Sequence, residues 1–334
     1  MNGTNRTALV IGATGGIGGE AAAALLRRGW RVRGLNRDPA GAARRAGRAG
    51  IEWVAGDAMS PADVRRAATG VDVIVHAANP PGYRNWRGLA LPMLDSTIQA
   101  AEATGATIVF PGTVYNFGPD AFPLLSEASP QNPVTRKGKI RVEMEERLAR
   151  AAERGVRTIV VRAGDFFGPR PGNSWFSDGM IRKGRPLRSV MDPARPGVGH
   201  AWAYLPDVAE TMARLVERRD ELEPFAVFHF GGHWFDDNAE FARAALRVAG
   251  HPEGKVRAFP WWAMVAIAPF VTFAYEMLEM RYLWRVPVRL DNRKLVTFLG
   301  EEPHTPLDAA LIAALAGAGT LDTGSRGDPA VVSP

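Results

Sequence analysis

Three glycines near the start of the chain have the spacing of a phosphate-binding turn. The segment Thr7 to Gly18 reads TALVIGATGGIG: an apolar run enters a turn at Gly12, Gly15 and Gly18, and a helix-like segment from Glu20 to Arg28 leaves it. A strand that ends in a tight turn before a helix N-terminus aims unpaired backbone N–H groups at a phosphate pair. Gly12 permits the turn, Gly15 admits the pyrophosphate, and Gly18 lets the helix pack closely on the strand. The segment therefore predicts dinucleotide binding.

The end of the second predicted strand bears on the choice of dinucleotide. This strand, Arg31 to Leu35, is followed by Asn36, Arg37 and Asp38. The residue that closes it contacts the adenosine ribose, where an acid favours a free 2′-hydroxyl and an arginine favours a 2′-phosphate. Asn36 stands where NAD-binding proteins have an acid, and Arg37 supplies a cation, so the segment favours NADP over NAD. The alternative is an ion pair between Arg37 and Asp38, which would leave the choice of cofactor open.

Basic residues cluster at the start of another predicted helix. Asn132 and Pro133 have the residue types of an N-cap and a first helical position. The next turns carry four basic residues, Arg136, Lys137, Lys139 and Arg141. A helix N-terminus prefers acids by about 0.3–1 kcal/mol each, so the cluster predicts a bound anion, such as a cofactor phosphate or a substrate carboxylate. The alternative is a solvated helix face on which Lys139 pairs with Glu143.

Parallel strands that alternate with helices would bring these segments together. Five apolar runs follow the first strand, at residues 31–35, 51–55, 71–76, 107–111 and 157–162, with helical patterns between them. One of these helices, Pro61 to Ala68, has Ser60 as its N-cap. The alternation predicts an α/β fold with a Rossmann-type doubly wound parallel sheet. Right-handed crossovers would place the motif loops at the carboxyl edge of that sheet.

These motifs resemble the extended and atypical branches of the short-chain dehydrogenase/reductase superfamily, which include nucleotide-sugar epimerases and dehydratases. The resemblance runs from about Thr7 to Ala316 and rests on the glycine turn, His76-Ala77-Ala78, Gly112 to Pro119 and Ala163 to Pro169. It implies that NADP(H), or alternatively NAD(H), contacts Gly12, Thr14, Gly15, Gly16, Ile17, Gly18, Asn36, Arg37, Asp57, Ala58, Ala77, Ala78, Asn79 and Lys139.

The chain departs from the superfamily at the catalytic residues. Members carry a Tyr and, four residues later, a Lys whose ammonium lowers the pKa of the phenol. When Lys139 and Glu143 are aligned with the Lys and a following Glu of the family, Thr135 stands at the Tyr position. Pro111 stands at the position of the catalytic Ser. A threonine hydroxyl is far less acidic than a phenol, so the proton donor is expected to be another group.

Five residues are the candidates for catalysis. The resemblance places the loop that carries Tyr115 beside the nicotinamide, so Tyr115 is the first candidate for proton donor. The ammonium of Lys137 or Lys139 is the second, and Lys139 is also expected to bind the nicotinamide ribose. The hydroxyls of Thr113 and Thr135 complete the catalytic set. Alternatively, Tyr115 is an aromatic side chain that packs beneath its loop and takes no part in catalysis.

Composition excludes several kinds of site and partner. The 334 residues include no cysteine, which rules out disulfides, thiolate metal sites and a cysteine nucleophile. The six histidines show no metal-ligand spacing except for His229 and His233, and we expect no metal site. The net charge is +6, but the arginines are scattered, so we expect no nucleic-acid partner. Met1 to Arg6 is polar, which predicts no signal peptide and a cytoplasmic protein.

The apolar stretch Phe259 to Tyr275 raises the question of a membrane. It is at the short limit for a spanning helix and contains Pro260 and Pro269, so we expect no stable membrane insertion. A buried or pocket-lining helix is the favoured interpretation, and contact with a membrane surface is the alternative.

The second half of the chain is expected to hold the substrate. We expect residues 1–170 to form the dinucleotide-binding core, 171–320 to be mainly a smaller C-terminal α/β substrate-binding part with segments that return to the core, and 321–334 to be a flexible tail. Most tryptophans of the chain lie here: Trp175, Trp202, Trp234, Trp261, Trp262 and Trp284. Core packing accounts for most of them, and any that line a pocket would favour an apolar or aromatic small-molecule substrate.

Three functions fit the sequence. The first is an NADP-dependent oxidoreductase acting on a carbonyl or alcohol of a small, fairly apolar molecule, with a non-standard proton donor. The second is a nucleotide-sugar epimerase or dehydratase with bound NAD, whose phosphate-binding cations would come from Arg182, Lys183, Arg185 and Arg188. The third is a non-catalytic dinucleotide-binding sensor or scaffold. Homodimers are usual in the superfamily, so a homodimer is a further expectation.

Overall fold

A computed structural model describes residues 6–47, 49–80, 85–170, 172 and 174–321. Apart from Leu321, the predicted tail at 321–334 lies outside the described residues. The strands are β1 (Thr7–Ile11), β2 (Arg31–Asn36), β3 (Ile51–Ala55), β4 (Val73–His76), β5 (Thr107–Thr113), β6 (Leu124–Leu125), β7 (Thr158–Ala163), β8 (Asp165–Phe167), β9 (Ser189–Asp192), β10 (His200–Tyr204), β11 (Phe225–His229), β12 (His233–Phe235), β13 (Lys255–Ala258) and β14 (Arg289–Leu290).

Helices connect and cover these strands. They are α1 (Gly16–Arg27), α2 (Pro39–Ala46), α3 (Pro61–Ala67), α4 (Trp86–Thr104), α5 (Arg136–Glu153), α6 (Leu205–Glu217), α7 (Asn238–Val248), α8 (Trp261–Ile267), α9 (Thr272–Glu279), α10 (Arg293–Leu299) and α11 (Leu307–Gly317). The predicted cap of α3 is confirmed, because the Ser60 side chain accepts a hydrogen bond from the Asp63 N–H.

The central sheet confirms the predicted α/β fold with a Rossmann-type doubly wound parallel sheet. Within the described chain it has seven strands in the order β11-β7-β5-β4-β1-β2-β3, and every neighbouring pair is parallel. The strand order reverses beside β1, which leads into the glycine turn. Such a switch point leaves a crevice at the carboxyl ends of the strands, where ligands of open α/β sheets bind.

Alternate residues of β1 supply the two faces of the sheet. Ala8 and Val10 pack in one core with α1 and α6, while Leu9 and Ile11 pack in another with α3, α4 and α5. All four side chains are at most 2% exposed. A short apolar run covered on both faces is the pattern of a central strand in a parallel sheet. Burial on both faces fixes the position of β1 in the sheet, and with it the position of the glycine turn that follows.

A third core lies in the C-terminal half of the chain. Its centre is Trp202, whose ring stacks on Phe241 at 4.4 Å and whose indole Nε1 donates to Asn238 Oδ1. Phe167 of β8 joins this core, and β8 pairs in parallel with β10. Because β8 follows β7 of the central sheet after one residue, the third core is attached at the edge of the crevice.

Two helix starts differ from the sequence predictions. Helix α1 begins at Gly16 rather than at Glu20, so its first turn contains three glycines that have a low helix propensity. Helix α5 begins at Arg136 rather than at Pro133, and its cap is Thr135, whose hydroxyl accepts from Gly138 N–H at 2.9 Å. Asn132 instead donates to Asp120. The predicted cap was therefore wrong by one full turn.

The apolar stretch at 259–275 lies in two short helices, α8 and α9, and their connection, whereas one buried or pocket-lining helix was expected; Met277 of α9 lines the cleft described below. Trp262 is 77% exposed and Phe270, between the helices, is 88% exposed. In the part of the chain that is described, no helix combines the length and apolar character needed to cross a bilayer.

Candidate active site

A cleft of about 930 Å³ opens at the carboxyl edge of the central sheet. It begins at the glycine turn after β1, passes the ends of β2, β4 and β5, and ends at the segments that follow β7 and β8. The volume is of the size that enclosed ligands occupy in proteins. The loops predicted to share this edge thus meet in one concave site.

The glycine turn leaves no room for side chains. Gly12 has φ of +93°, and a Cβ there would lie 2.6 Å from the Ala77 carbonyl oxygen. A Cβ on Gly18 would lie 2.3 Å from the Gly12 carbonyl oxygen, so α1 packs directly beneath the turn. Gly15 closes the turn by donating to Gly12 O at 2.9 Å. The start of α1 therefore presents backbone N–H groups to the cleft, a cradle that fits a pyrophosphate.

Most of the predicted site residues line this cleft. They are Gly12, Thr14, Gly15, Gly16, Ile17, Asn36, Arg37, Asp57, Ala58, Ala77, Ala78, Asn79, Thr113 and Tyr115. Gly18 lies beneath the turn, and Thr135 and Lys139 are not among the lining residues.

The end of the cleft beside β2 carries two arginines, Arg37 and Arg45. Asp38 does not pair with Arg37: it caps α2 by accepting from Gly41 N–H, and its other oxygen lies 3.6 Å from Arg45 Nη1. Arg37 is exposed and has no carboxylate partner among the described residues. Asp57 accepts from Met59 N–H at 3.0 Å, which orients its carboxylate at the cleft.

Thr113 and Tyr115 lie together at the end of β5. The Thr113 hydroxyl accepts from the Tyr115 N–H at 3.2 Å and so caps the short 3₁₀ turn Val114–Asn116. Tyr115 is half-buried against the third core while it lines the cleft. A Cβ on Gly138 would lie 2.3 Å from the Tyr115 carbonyl oxygen. Helix α5 can therefore approach the Tyr115 turn closely only because residue 138 has no side chain.

The predicted roles of Thr135 and Lys139 do not fit their positions. Thr135 is 3% exposed, and its hydroxyl is committed to the cap of α5. Lys139 is on the exposed side of α5. Lys137 is buried instead, with its Nζ 2.8 Å from Glu276 Oε2 of α9 and 2.9 Å from the Glu276 carbonyl oxygen. Burial lowers the pKa of the Lys137 ammonium, although the Glu276 carboxylate opposes this shift.

Arg141 is the basic residue of α5 that faces the cleft, and the sequence did not single it out. Its guanidinium lies between the rings of Trp86 and Phe110, at 5.3 and 5.4 Å from their centres, and Nη1 reaches Pro111 O at 3.4 Å. It lies one helical turn after Lys137. Lys137 and Arg141 have the four-residue spacing of the Tyr-x-x-x-Lys pair, two residues further along the chain than Thr135 and Lys139, but of the two only Arg141 lines the cleft.

His76, at the end of β4, is a second cleft residue whose role the motif did not reveal. The Thr97 hydroxyl donates to Met93 O, so it accepts from His76 Nδ1 at 2.7 Å. This arrangement leaves Nε2 as a buried acceptor without a partner among the described residues. Burial and then the nearby Arg141 charge lower the pKa of His76 to about 3, which keeps the imidazole neutral.

The substrate end of the cleft is largely apolar. Its wall includes the apolar residues Leu89, Met93, Phe110, Phe166, Trp175, Phe176 and Met277, together with the polar residues Ser174, Ser177 and Asp178. Of the six tryptophans predicted for this half, only Trp175 lines the cleft; Trp202 and Trp284 are at most 1% exposed in the third core. Asp165 adds a carboxylate that is held by His200 Nε2 at 2.9 Å.

The four cations proposed for a nucleotide sugar are absent from this wall. Arg182, Lys183, Arg185 and Arg188 do not line the cleft, and Lys183 Nζ binds Asp178 Oδ1 at 2.7 Å. Arg170 does line it, but its guanidinium pairs with the buried Glu20 of α1. In the described ranges, no group of His, Asp and Glu side chains has the arrangement to hold a metal ion.

Comparisons with known proteins agree with this geometry. The family model for the NAD dependent epimerase/dehydratase family matches residues 8–231. No curated protein matches the chain. UDP-N-acetylglucosamine 4-epimerase from Bacillus cereus has a TM-score of 0.69 at 14% identity, over 94% of this chain and 100% of that one.

Two further structures with a similar fold are complexes with NAD+. The Bordetella bronchiseptica enzyme WbmH gives a TM-score of 0.68 at 19% identity, over 93% of this chain and 97% of that one. UDP-glucose 4-epimerase from Bifidobacterium longum gives 0.68 at 16% identity, over 92% and 97%. At these identities the likeness establishes a shared fold.

Proposed function

The chain belongs to the NAD dependent epimerase/dehydratase family, and from that premise we propose that it is an NADP-dependent oxidoreductase. Its proposed substrate is the carbonyl or alcohol group of a small, largely apolar organic molecule. The observation that carries this proposal is the substrate end of the cleft, which is lined by aromatic and aliphatic side chains. A nucleotide diphosphate at that end would need cations: Arg182, Lys183, Arg185 and Arg188 do not line the cleft, and Arg170, which does, is paired with Glu20.

The preference for NADP is supported by charge at the other end of the cleft. Arg37 and Arg45 both line it there, and Asn36 stands where an acid would repel a 2′-phosphate. Two guanidiniums at one phosphate form charge-assisted hydrogen bonds, which are about twice as strong as neutral ones. Gly12, Gly15 and the start of α1 would hold the pyrophosphate.

When bound, the nicotinamide supplies or accepts a hydride, and the chain must manage the accompanying proton. We assign the proton to Tyr115 Oη, because Tyr115 lines the cleft beside the end of β5. Thr113 Oγ1 already accepts from Tyr115 N–H, so its own O–H remains to donate to a substrate oxygen. Arg141 replaces Lys139 as the proposed cation, since its fixed charge stabilises an oxyanion in the cleft.

The test is NADPH oxidation by the purified protein against a panel of aldehydes, ketones and enones. Tyr115→Phe and Arg141→Met are each expected to lower the rate by about 10²–10⁴-fold, the usual contribution of a positioned acid or charge. Lys139→Ala is the matched control on the same helix, and it is expected to retain the rate because Lys139 does not line the cleft. Equal losses in all three variants would contradict the assignment.

A nucleotide-sugar epimerase with bound NAD is the second candidate, because the structural neighbours include two enzymes named as UDP-sugar 4-epimerases. It predicts that the purified protein carries tightly held NAD and interconverts a UDP-sugar with no net change in the cofactor. Dinucleotide binding without turnover in either assay would instead support a sensor or scaffold.

A further inference from the structure

The hairpin formed by α8 and α9 carries large apolar side chains that face solvent. Trp262 and Phe270 are 77% and 88% exposed, and the same hairpin exposes Val265, Ile267, Val271 and Tyr275 at 40% or more. Single exposed apolar residues are ordinary on protein surfaces, but such a set on one short hairpin marks an interaction surface. Trp262 lies on α8, and Phe270 is in the connection to α9, at the tip of the hairpin.

Basic residues adjoin the base of this hairpin. The Arg281 guanidinium lies 5.4 Å from the centre of the Trp261 ring, the residue directly before Trp262. The Arg195 N–H donates to the Trp284 carbonyl oxygen at 3.0 Å, so Arg195 lies beside the segment that carries Arg281 and Arg285. Burial, followed by the charges of Arg285 and Arg195, lowers the pKa of Arg281. In the described structure no carboxylate forms an ion pair with any of them. The exposed apolar side chains of the hairpin therefore adjoin three guanidiniums that have no carboxylate partner among the described residues.

We propose that the α8–α9 hairpin docks the protein on the surface of a membrane that contains anionic lipids. The Trp262 and Phe270 side chains would enter the boundary between headgroups and acyl chains, where aromatic residues are favoured. The guanidiniums of Arg195, Arg281 and Arg285 would meet lipid phosphates, whose negative surface potential attracts basic residues. Helices of seven and eight residues lie on a bilayer and do not cross it.

A second copy of the chain is the competing occupant of this surface. A two-fold contact places the same patch on both partners, so two sets of three guanidiniums would approach each other. Like charges at an interface oppose association, whereas anionic headgroups neutralise the same charges. The pairing of an apolar tip with unpaired arginines therefore favours a lipid surface.

The hairpin is also part of the cleft. Met277 of α9 lines the apolar substrate end, and Glu276 beside it binds Lys137 of α5. A hairpin seated on the membrane would hold this end of the cleft next to the lipid phase, from which an apolar substrate can be drawn. This consequence alone rests on the proposed function; the docking itself does not.

Flotation of the full-length protein with phosphatidylcholine vesicles, with and without phosphatidylglycerol, tests the proposal apart from any enzyme assay. The protein is expected to float with the anionic vesicles and to lose at least about tenfold in affinity when Trp262→Ser and Phe270→Ser are combined. Arg281→Gln with Arg285→Gln is expected to weaken binding to the anionic vesicles and to reduce its salt dependence, which Arg195 alone would then maintain. Ile312→Ser, at a residue 51% exposed on α11, is the matched control and is expected to bind as the parent does.

Two results would overturn the proposal. One is the absence of flotation with anionic vesicles by a parent protein whose circular dichroism is that of a folded α/β chain. The other is a dimer in sedimentation that dissociates on the Trp262→Ser and Phe270→Ser change, which would assign the hairpin to a contact between copies. Because flotation needs no substrate, loss of the proposed activity and loss of docking are distinguishable.

Discussion

Arg162 Nη2 of β7 lies 2.6 Å from Glu145 Oε2 of α5, and the two side chains are only 2% and 4% exposed. The Arg162 Nε also donates to Glu145, and Nη1 lies 3.3 Å from His229 Nε2 of β11. This buried pair fixes α5 against the sheet. The same helix carries Lys137 and Arg141, so the pair sets the position of both at the site.

Glu145→Gln is expected to lower the free energy of unfolding by about 3–5 kcal/mol, because it leaves the Arg162 charge buried without its partner. Denaturation in urea measures this change. Asp308→Asn is the control: its pair with Arg247 is 53% exposed on both sides, so its loss should change stability little. Similar costs for the two substitutions would show that the Arg162–Glu145 pair does not anchor α5.

Glu276→Gln is expected to loosen α9. It removes the charge that compensates the buried Lys137 ammonium, and Arg136 loses a partner as well. Amide hydrogen exchange should rise in residues 272–279 relative to the sheet. Glu301→Gln, whose pair with Arg214 involves a carboxylate 71% exposed, should leave exchange unchanged. Unaltered exchange in α9 after Glu276→Gln would mean that the Lys137 contact does not hold this helix.

Arg37→Gln and Arg45→Gln are expected to weaken NADPH binding by about 10–100-fold each, the range for a hydrogen bond to a charged group. NADH binding should change little, because NADH has no 2′-phosphate. Titration of cofactor fluorescence measures both affinities. Arg44→Gln on the same helix is the control, since Arg44 does not line the cleft. Equal losses for NADH and NADPH would remove the basis for an NADP preference.

Stability is expected to fall as the pH is lowered below 6.5. Burial is the main cause that lowers the pKa of His76 and His229 to about 3 and of His233 to about 4, from 6.5 when exposed. Between the folded and the exposed pKa values the unfolded chain binds protons that the native state does not. The contribution of these histidines to the free energy of unfolding is therefore fully present above pH 6.5 and is lost as the pH falls toward the pKa of the folded state. Each histidine contributes a slope of about 1.4 kcal/mol per pH unit.

His229→Gln tests this linkage. Urea unfolding across the interval from pH 6.5 down to about 4 should show a slope shallower by about 1.4 kcal/mol per unit than that of the parent. The slope is the informative quantity, because the substitution also removes the contact of His229 Nδ1 with Leu125 O and so lowers stability at every pH. An unchanged slope would show that His229 titrates alike in both states.

The sequence predicted the parts of the fold that are governed by local chemistry. The β1 run, the glycine turn and the capped helix after Ser60 are each specified by a few neighbouring residues. Of the seven strands described in the sheet, six were found within a few residues of their ends, and the edge strand β11 was not assigned to the sheet. The register of α5 was missed because Asn132-Pro133 is a good local start, whereas Thr135 is chosen by its bond to Gly138 and by the close approach of Gly138 to Tyr115. That approach is a tertiary contact.

Tertiary contacts also determine the site residues that the sequence analysis did not identify. Arg141 was visible only as one of four basic residues, and a shift of two positions along a helix changes which of them faces the sheet. The tautomer of His76 depends on Thr97, 21 residues away on α4. The exposure of Trp262 and Phe270 could not be predicted either, since an apolar stretch has the same composition whether it is covered by protein or by lipid.

The most direct test of the proposed function is the fate of the hydride. The protein is mixed with NADPH that carries deuterium at the transferable position and with the active compounds of the carbonyl panel, and the products are analysed by mass spectrometry. We expect one deuterium in each released alcohol or reduced product, in equal amount to the NADP+ formed, and loss of both in Tyr115→Phe. Cofactor that stays reduced across the panel, together with conversion of a UDP-sugar into its epimer, would contradict it.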